Sequence, residues 1–591
     1  MRQRYGLAFL LATLVVGTVV ALTAVQRQKA APGTPPSSTQ PALSIDQRIR
    51  QMSVEEKVGQ LFLVGFPGQL MGYEAQTLVE EYHVGGVILF GRNIDSPVQV
   101  AVLTNQLQKA ATTNGAGIPL LIATDQEGGI VQRLAGATNF PGNMALGAVG
   151  SEELARQQGE ITARELRAVG INVDFAPVVD VNNNPDNPVI GLRSLGSDPQ
   201  QVARLGTALV QGLQAGGVLA TAKHFPGHGD TSMDSHISLP TVPYDRAHLD
   251  RVELVPFAAA IKAGVGGIMT AHITFPAVDP TPGLPATLSP KVLQGLLRQE
   301  LGFKGLIFTD ALEMGAIVQT WGIGEAAVKA IQAGADQVLI AWPRDWQDEI
   351  TAIQRVVAAV RAGEITTSRL DESVRRILQA KEQLGLFRSS QVDPQAVAKQ
   401  VATPTSQAVG LQIARRSITV VRNQAHVLPL KPGYTGKIVV IAPQDAALTQ
   451  VEELGSSSST LGKALRSGAK NVVEYLYPVS GRSSIDVAAA TRLARSADLV
   501  VVGTYRATQS SAQVDLVRSL LELDKPTVVV ALREPYDILR FPEVKTYVAT
   551  YGYTPVSLQA LGDVLFGRVK PAGKLPVEIP GIAPLGTGLT W

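Results

Sequence analysis

Eight short apolar runs, spread over residues 61–341, constrain the fold of this chain more than any other feature. They occupy residues 61–66, 86–90, 119–125, 172–180, 218–224, 267–272, 306–310 and 337–341. Each is apolar at consecutive positions, the pattern of a parallel strand covered on both faces. The spacers contain amphipathic stretches such as 152–169 and 288–300. Eight such strand–helix units predict a (β/α)8 TIM barrel over residues 44–387, with some long loops and a closing helix at 371–387.

A chain of 591 residues exceeds a single core, so more than one domain is expected. Residues 388–410 read as a polar connector and 411–591 as a second α/β domain. Strands at 438–442, 472–477, 499–502, 527–532 and 546–550, with a helix near 487–496, predict an open α/β/α sandwich. The stretch 455–460 (GSSSST) reads as a flexible loop. No glycine-rich phosphate loop follows any of these strands.

The N-terminus has another character. Arg2 and Arg4 precede an uncharged run over residues 6–25, long enough for a bilayer span or a long signal h-region. Residues 1–27 are therefore read as a signal peptide or membrane anchor and 28–43 as a Pro/Ser-rich linker. The expectation is an exported protein whose only membrane contact is this segment. A net charge of +2 without a basic run argues against nucleic acid as partner. The absence of cysteine excludes disulfides, thiolate catalysis and Cys-bound zinc.

Polar residues gather at one end of the barrel runs. Asp125, Asp180, Lys223-His224, His272 and Asp310 all stand at the C-terminal end of a candidate strand, where a barrel carries its active site. Singly, each could be a helix cap or a structural ion pair. The densest group is Lys223-His224-Phe225-Pro226-Gly227-His228-Gly229-Asp230-Thr231-Ser232-Met233-Asp234-Ser235-His236, which holds three of the seven histidines. Pro226 and Gly227 keep the His224–His228 spacing from being a zinc-binding helix, although a metal cluster remains an alternative. Gly227 and Gly229 are expected to let the loop turn tightly.

An Asp at a barrel mouth, as Asp310 is, can attack an electrophilic carbon. Glycoside cleavage needs such a group on one face of the sugar and a proton donor on the other. Asp234 and His236 are two residues apart in a loop, where a carboxylate can orient an imidazole for proton transfer. Asp125, with Gly128 and Gly129 behind it and Arg133 beyond, can hold hydroxyls by charge-assisted hydrogen bonds or can simply start a helix.

These residues resemble glycoside hydrolase family 3, specifically its β-N-acetylglucosaminidase branch. The matching stretches are 85–90 (GGVILF), 125–134 (DQEGGIVQRL), 174–180 (DFAPVVD), 190–194 (IGLRS), 223–236 and 309–314 (TDALEM). In the second domain, 417–423 (SITVVRN), 428–430 (LPL) and 571–576 (PAGKLP) are similar to the family's C-terminal sandwich.

The resemblance implies Asp310 as nucleophile and His236 as acid/base, supported by Asp234. It implies Asp125, Arg133, Arg193, Lys223 and His224 as sugar-binding residues. It further implies net retention of configuration, a mobile His236 loop, a carbohydrate substrate such as an N-acetylglucosaminide or muropeptide, and no metal or organic cofactor. Ile130, where many members have Arg, and Ala311, where others have Asp or Trp, depart from the pattern. The alternatives are a β-glucosidase or β-xylosidase, a phosphorylase, and a non-catalytic wall-binding protein. The second domain is expected to pack on the barrel and border the cleft.

Overall fold

The computed structural model describes residues 43–341, 345–444, 447–452, 460–479 and 485–591. The expected export segment 1–27, nearly all of the linker 28–43 and most of the loop 455–460 lie outside the described residues.

All eight apolar runs contain a barrel strand. β1 (Phe62–Val64), β2 (Gly86–Ile88) and β3 (Leu121–Thr124) come first. A small antiparallel hairpin follows, of β4 (Gln126–Gly128) and β5 (Val131–Gln132). Then come β6 (Val173–Asp174), β7 (Leu219–Phe225), β8 (Gly267–Thr270), β9 (Leu306–Phe308) and β10 (Val338–Ile340). The eight form one parallel sheet in the order β10-β1-β2-β3-β6-β7-β8-β9. Its two ends meet through a Phe308–Gln337 bridge and a 3.0 Å bond from the Thr309 N–H to the Gln337 carbonyl.

The runs are longer than the strands because apolar burial continues past the regular ladder. β6 stops at Asp174, and only an isolated Val178–Lys223 bridge continues the pairing beyond it. Pro177 has no N–H to give to a ladder. Asp180 therefore leaves an irregular segment and not a strand end.

The closing helix is Thr367–Gln383, four residues earlier at each end than expected. The Thr366 side chain caps it by accepting from the Arg369 N–H, and Gly385 beyond its end takes φ +75°. Buried polar groups are not confined to one end of the barrel. Before β9 and β10, buried Asp336 binds Arg298 Nη2 at 2.5 Å and accepts from the Ile307 N–H at 3.0 Å. Buried Lys381 donates to Gln60 at 2.6 Å beneath β1. These groups bond within the barrel wall, at the end opposite the C-terminal ends of the strands.

The second domain holds a six-stranded mixed sheet: β11 (Thr419–Asn423), β12 (Ile438–Pro443), β13 (Val472–Tyr477), β14 (Leu499–Thr504), β15 (Thr527–Ala531) and β16 (Thr546–Ala549). The order is β11-β16-β15-β14-β12-β13, parallel except for β11 against β16. The five expected strands are present, and β11 is an addition. It is an edge strand whose Arg422 and Asn423 end is only partly buried, so its apolar signal is short. Helix Pro404–Ser417, started by Pro404 and capped by Thr403, begins within the segment read as connector. One apolar cluster joins barrel residues Ile130, Val131, Met144 and Leu192 to Val439, Val500 and Tyr547 of the second domain. The two domains thus share a core.

Candidate active site

A cavity of about 820 Å3 opens at the C-terminal end of the barrel strands. Asp125, Arg133, Arg193, Lys223, His224, His236 and Asp310 all line it. Asp234 sits behind His236, its Oδ1 2.7 Å from Nδ1 of the ring and 2.9 Å from the His236 N–H. The eight residues singled out from the sequence therefore gather at one site.

β7 supplies two neighbours to the same cavity. Consecutive residues of a regular strand point to opposite faces. Here the pairing with β8 is irregular between Ala222 and Phe225, and both Lys223 and His224 reach the cavity. The Lys223 ammonium donates to Asp125 Oδ1 at 2.7 Å and lies 2.8 Å from Glu127 Oε1. Arg193 grips Glu127 with two bonds, of 2.9 and 2.8 Å. Arg133 lies over the Phe90 ring, its Nε 4.0 Å from Asp125 Oδ2.

This cluster is rigid for a physical reason. Lys223 and Glu127 are almost fully buried, and each buried charge has an opposite charge on it. Burial would raise the Glu127 carboxyl, yet Arg193 and Lys223 hold it far below the usual carboxylate range. Burial would lower the Lys223 amine, but Asp125 and Glu127 keep it above its ordinary value. Beneath them Asp174 is pushed up to about 8 by burial, with only one oxygen bonded, to the Gln126 N–H at 2.9 Å.

Glu127 was not among the residues singled out, although its signal was present. Asp125 and Glu127 flank Gln126 at the start of β4, and alternate residues of an extended segment share a face. The hairpin turn uses Gly128 and Gly129 at φ +87° and +64°, and a Cβ on Gly129 would stand 2.8 Å from Gly142 Cα.

Asp180, which the sequence marks only by its place after an apolar run, also belongs to the site. It accepts His224 Nδ1 at 2.7 Å, the His224 N–H at 3.1 Å and the His228 N–H at 2.7 Å. Burial opposes its charge, but His224, His228 and these bonds hold its carboxyl below the ordinary value. With Nδ1 given to Asp180, the other nitrogen of His224 accepts from Arg193 Nη2 at 3.4 Å. His228 is buried, pushed down to about 4 by burial and by nearby His224, and bonded to Thr231 and Ser235. The histidines thus divide among different carboxylates and hydroxyls. Among the described residues no three His, Asp or Glu side chains are placed to hold a metal ion.

Two loop glycines have different tasks. Gly227 takes φ +147° and supplies the turn. Gly229 has ordinary φ, and a Cβ there would lie 1.8 Å from the Val181 carbonyl oxygen. Its role is close packing and not the tight turn expected of it.

Asp310 follows β9 at the cavity wall, partly exposed to it. Burial would raise its carboxyl. His224, His272 and His236 around it, with the Ala311 N–H donating to Oδ1 at 2.8 Å, hold it below the ordinary value. His272 is buried and fixed by Thr287 at 2.8 Å and the Ala311 carbonyl at 2.9 Å. The carbonyl of Ala311, one of the two departures, thus orients that ring. Ile130, the other, packs in the core shared with the second domain. Gln450 and Val451 of the second domain also line the cavity, so that domain borders it as expected.

Residues 53–380 match the glycosyl hydrolase family 3 N-terminal domain, and 418–583 match its C-terminal domain. The chain belongs to glycosyl hydrolase family 3. It is a glycoside hydrolase by that membership and by its relatives. Beta-hexosaminidase A of Pseudoalteromonas piscicida is 33% identical, covering 86% of this chain and 91% of its own length. A beta-N-acetylglucosaminidase/beta-glucosidase of Cellulomonas fimi is 33% identical over 90% of this chain and 94% of its own. The solved family 3 beta-N-acetylglucosaminidase of Paenibacillus sp. str. FPU-7 superposes with TM-score 0.83 at 42% identity, covering 89% of this chain and 99% of that one. Among the described residues no helix is long and apolar enough to cross a membrane.

Proposed function

We propose that this chain is a retaining β-N-acetylhexosaminidase that removes terminal β-linked N-acetylglucosamine from cell-wall fragments or related glycosides. One observation carries the reading. Asp310, held ionised, and His236, with a carboxylate on one ring nitrogen, line the same cavity above a built polar cluster.

Asp310 attacks the anomeric carbon while the leaving oxygen takes a proton from His236 Nε2. A covalent glycosyl-enzyme forms and the aglycone departs as the alcohol. His236, now neutral at Nε2, takes a proton from water, whose oxygen attacks the same carbon and releases Asp310. Two displacements retain configuration. Asp234 fixes the tautomer and stabilises the imidazolium. Burial raises the Asp234 carboxyl, but its bonds to His236 lower it further, so it stays ionised. Asp125, Glu127, Lys223, Arg193 and His224 hold the sugar hydroxyls, with Arg133 beside them. The chemistry needs no metal or cofactor.

Asp310→Ala is expected to reduce turnover of an aryl β-N-acetylglucosaminide by more than about a thousandfold. Activity within a few-fold of wild type would remove Asp310 from the nucleophile role. The double name of the Cellulomonas fimi relative favours β-glucosidase activity as a second reading. Aryl glycosides with and without the 2-acetamido group decide between them, and product analysis with phosphate present detects phosphorolysis. Export belongs to the same reading, because residues 6–25 carry no charge. The protein is expected in the membrane or extracellular fraction, and recovery in the cytosol would overturn export.

A further inference from the structure

The loop that carries His236 is held from two sides. On one side it is tied to the segment that follows Asp310. The Gly315 N–H donates to the His236 carbonyl at 3.1 Å and the Ala316 N–H to the Ser235 carbonyl at 3.3 Å. On the other side it meets the long segment after Asp180, and there one buried side chain makes the shortest side-chain bonds to the loop.

That side chain is Asn187, which is buried. Its amide nitrogen donates to the carbonyls of His228 at 2.9 Å and Gly229 at 3.0 Å. Its amide oxygen accepts from the N–H groups of Val189 at 3.0 Å and Ile190 at 2.7 Å. Asn184 adds weaker bonds to the carbonyls of Asp230 and Thr231, at 3.4 and 3.2 Å. From His228 the connection runs on. Nδ1 meets Thr231 Oγ1 at 2.7 Å, and Nε2 meets Ser235 Oγ at 3.0 Å. Ser235 stands between Asp234 and His236.

Asn187 is itself held by the second domain. Arg506, two residues past β14, donates from Nη2 to the Asn187 carbonyl at 2.6 Å and from Nη1 to the Pro188 carbonyl at 3.1 Å. Arg506 takes φ +58°, a left-handed conformation that a non-glycine residue adopts only where its surroundings hold it. Two further contacts press on the same segment. Asn182 donates to the Tyr536 hydroxyl at 3.2 Å. Glu534 packs so closely on Gly191 that a Cβ there would lie 2.4 Å from its Oε1.

We propose that Arg506 and Asn187 are positioning residues for the acid/base step, through which the second domain fixes the loop carrying His236. The proposal rests on the reading of His236 as proton donor. A proton donor must stay within hydrogen-bond reach of the leaving oxygen, and a displacement of about 1 Å costs on the order of a hundredfold in rate. Neither residue lines the cavity, so the loss falls on the step that needs the proton.

The test compares wild type with Arg506→Ala, Arg506→Lys and Asn187→Asp. Asn187→Asp keeps the acceptor for Val189 and Ile190 but sets an oxygen against the carbonyls of His228 and Gly229. The readouts are kcat/KM on an N-acetylglucosaminide with an unactivated alcohol leaving group, kcat/KM on a nitrophenyl glycoside, and hydrogen exchange of residues 228–237. Arg506→Ala and Asn187→Asp are expected to lower kcat/KM about tenfold or more on the first substrate and less than about threefold on the second. Exchange in 228–237 should rise while β11 to β16 keep wild-type protection. Arg506→Lys, which restores one donor, should recover part of the loss. Equal losses on both substrates, or unchanged exchange in 228–237, would overturn the proposal. If wild type cleaves neither substrate, the proton-donor reading fails and the positioning role with it, whereas the exchange comparison still reports whether Arg506 braces the loop.

Discussion

Two histidine–aspartate pairs face the same cavity and differ in almost everything but composition. In His224–Asp180 the ring stands on β7 and both residues are buried, their side chains 6% and 0% exposed. In His236–Asp234 both belong to a loop, and their side chains are 21% and 12% exposed. Each carboxylate takes Nδ1 at 2.7 Å. The second nitrogen separates them. His224 Nε2 is occupied by Arg193 at 3.4 Å, whereas His236 Nε2 has no bonding partner among the described residues. A His–Asp pair is therefore not by itself a proton-transfer device. In the proposed mechanism it becomes one where its outer nitrogen is left for the substrate, as at His236, and serves as a hydrogen-bonding wall where that nitrogen is taken, as at His224.

The largest expected effect tests the outer nitrogens directly. His236→Ala should lower kcat/KM for an unactivated glycoside by about a thousandfold and for a nitrophenyl glycoside by less than about tenfold. His224→Ala should lower both by a similar factor, roughly ten- to a hundredfold, because it removes sugar binding and not proton transfer. If the leaving-group dependence appeared in His224→Ala instead, the roles of the two pairs would be exchanged.

A smaller effect separates the carboxylates. Asp180 accepts three donors in a buried setting, so Asp180→Asn turns an amide toward N–H groups and should cost about 2–4 kcal/mol in denaturant unfolding. Asp234→Asn should cost less than about 1 kcal/mol in the same measurement while depressing kcat. Comparable stability losses would contradict the division into a wall and a working pair.

A separate effect concerns pH. Asp174, beneath the rigid cluster, has its carboxyl raised to about 8 in the folded protein, against about 3.9 when unfolded. Between those values the folded state holds a proton that the unfolded state has released. Stability therefore falls as pH rises through this window and levels off above about 8. Asp174→Asn keeps an oxygen for the Gln126 N–H and carries no proton to lose. It should unfold at the higher temperature at pH 8 and lose that advantage near pH 4, as followed by thermal melts. Identical melts at pH 8 would mean that Asp174 is ionised in the folded protein.

Much of this was legible before folding, and the gaps have physical causes. The eight barrel strands were readable because parallel strands covered on both faces leave unbroken apolar runs. Edge strand β11 was not, since its polar half hides the run. Asp310, His236 and Asp125 stood out as polar residues at strand ends or in a dense motif. Asp180 stood out only by its place at a strand end and Glu127 not at all, because their importance lies in what they touch: the His224 ring and the His224 and His228 backbone in one case, Arg193 and Lys223 in the other. Buried Asp336 and Lys381 at the other end of the barrel show why strand-end position alone does not mark chemistry.

The sequence alone determined the barrel, the second domain and the composition of the polar motif, since hydrophobic periodicity and turn residues act over a few neighbouring positions. Only the tertiary structure decided which histidine has its outer nitrogen taken by a neighbouring side chain and which leaves that nitrogen facing the cavity. That choice depends on Arg193, 31 residues from His224 in the chain, and on a loop held through Asn187 by a residue of the other domain. Contacts between elements so far apart leave no local pattern, and they form only when the packed core brings those elements together.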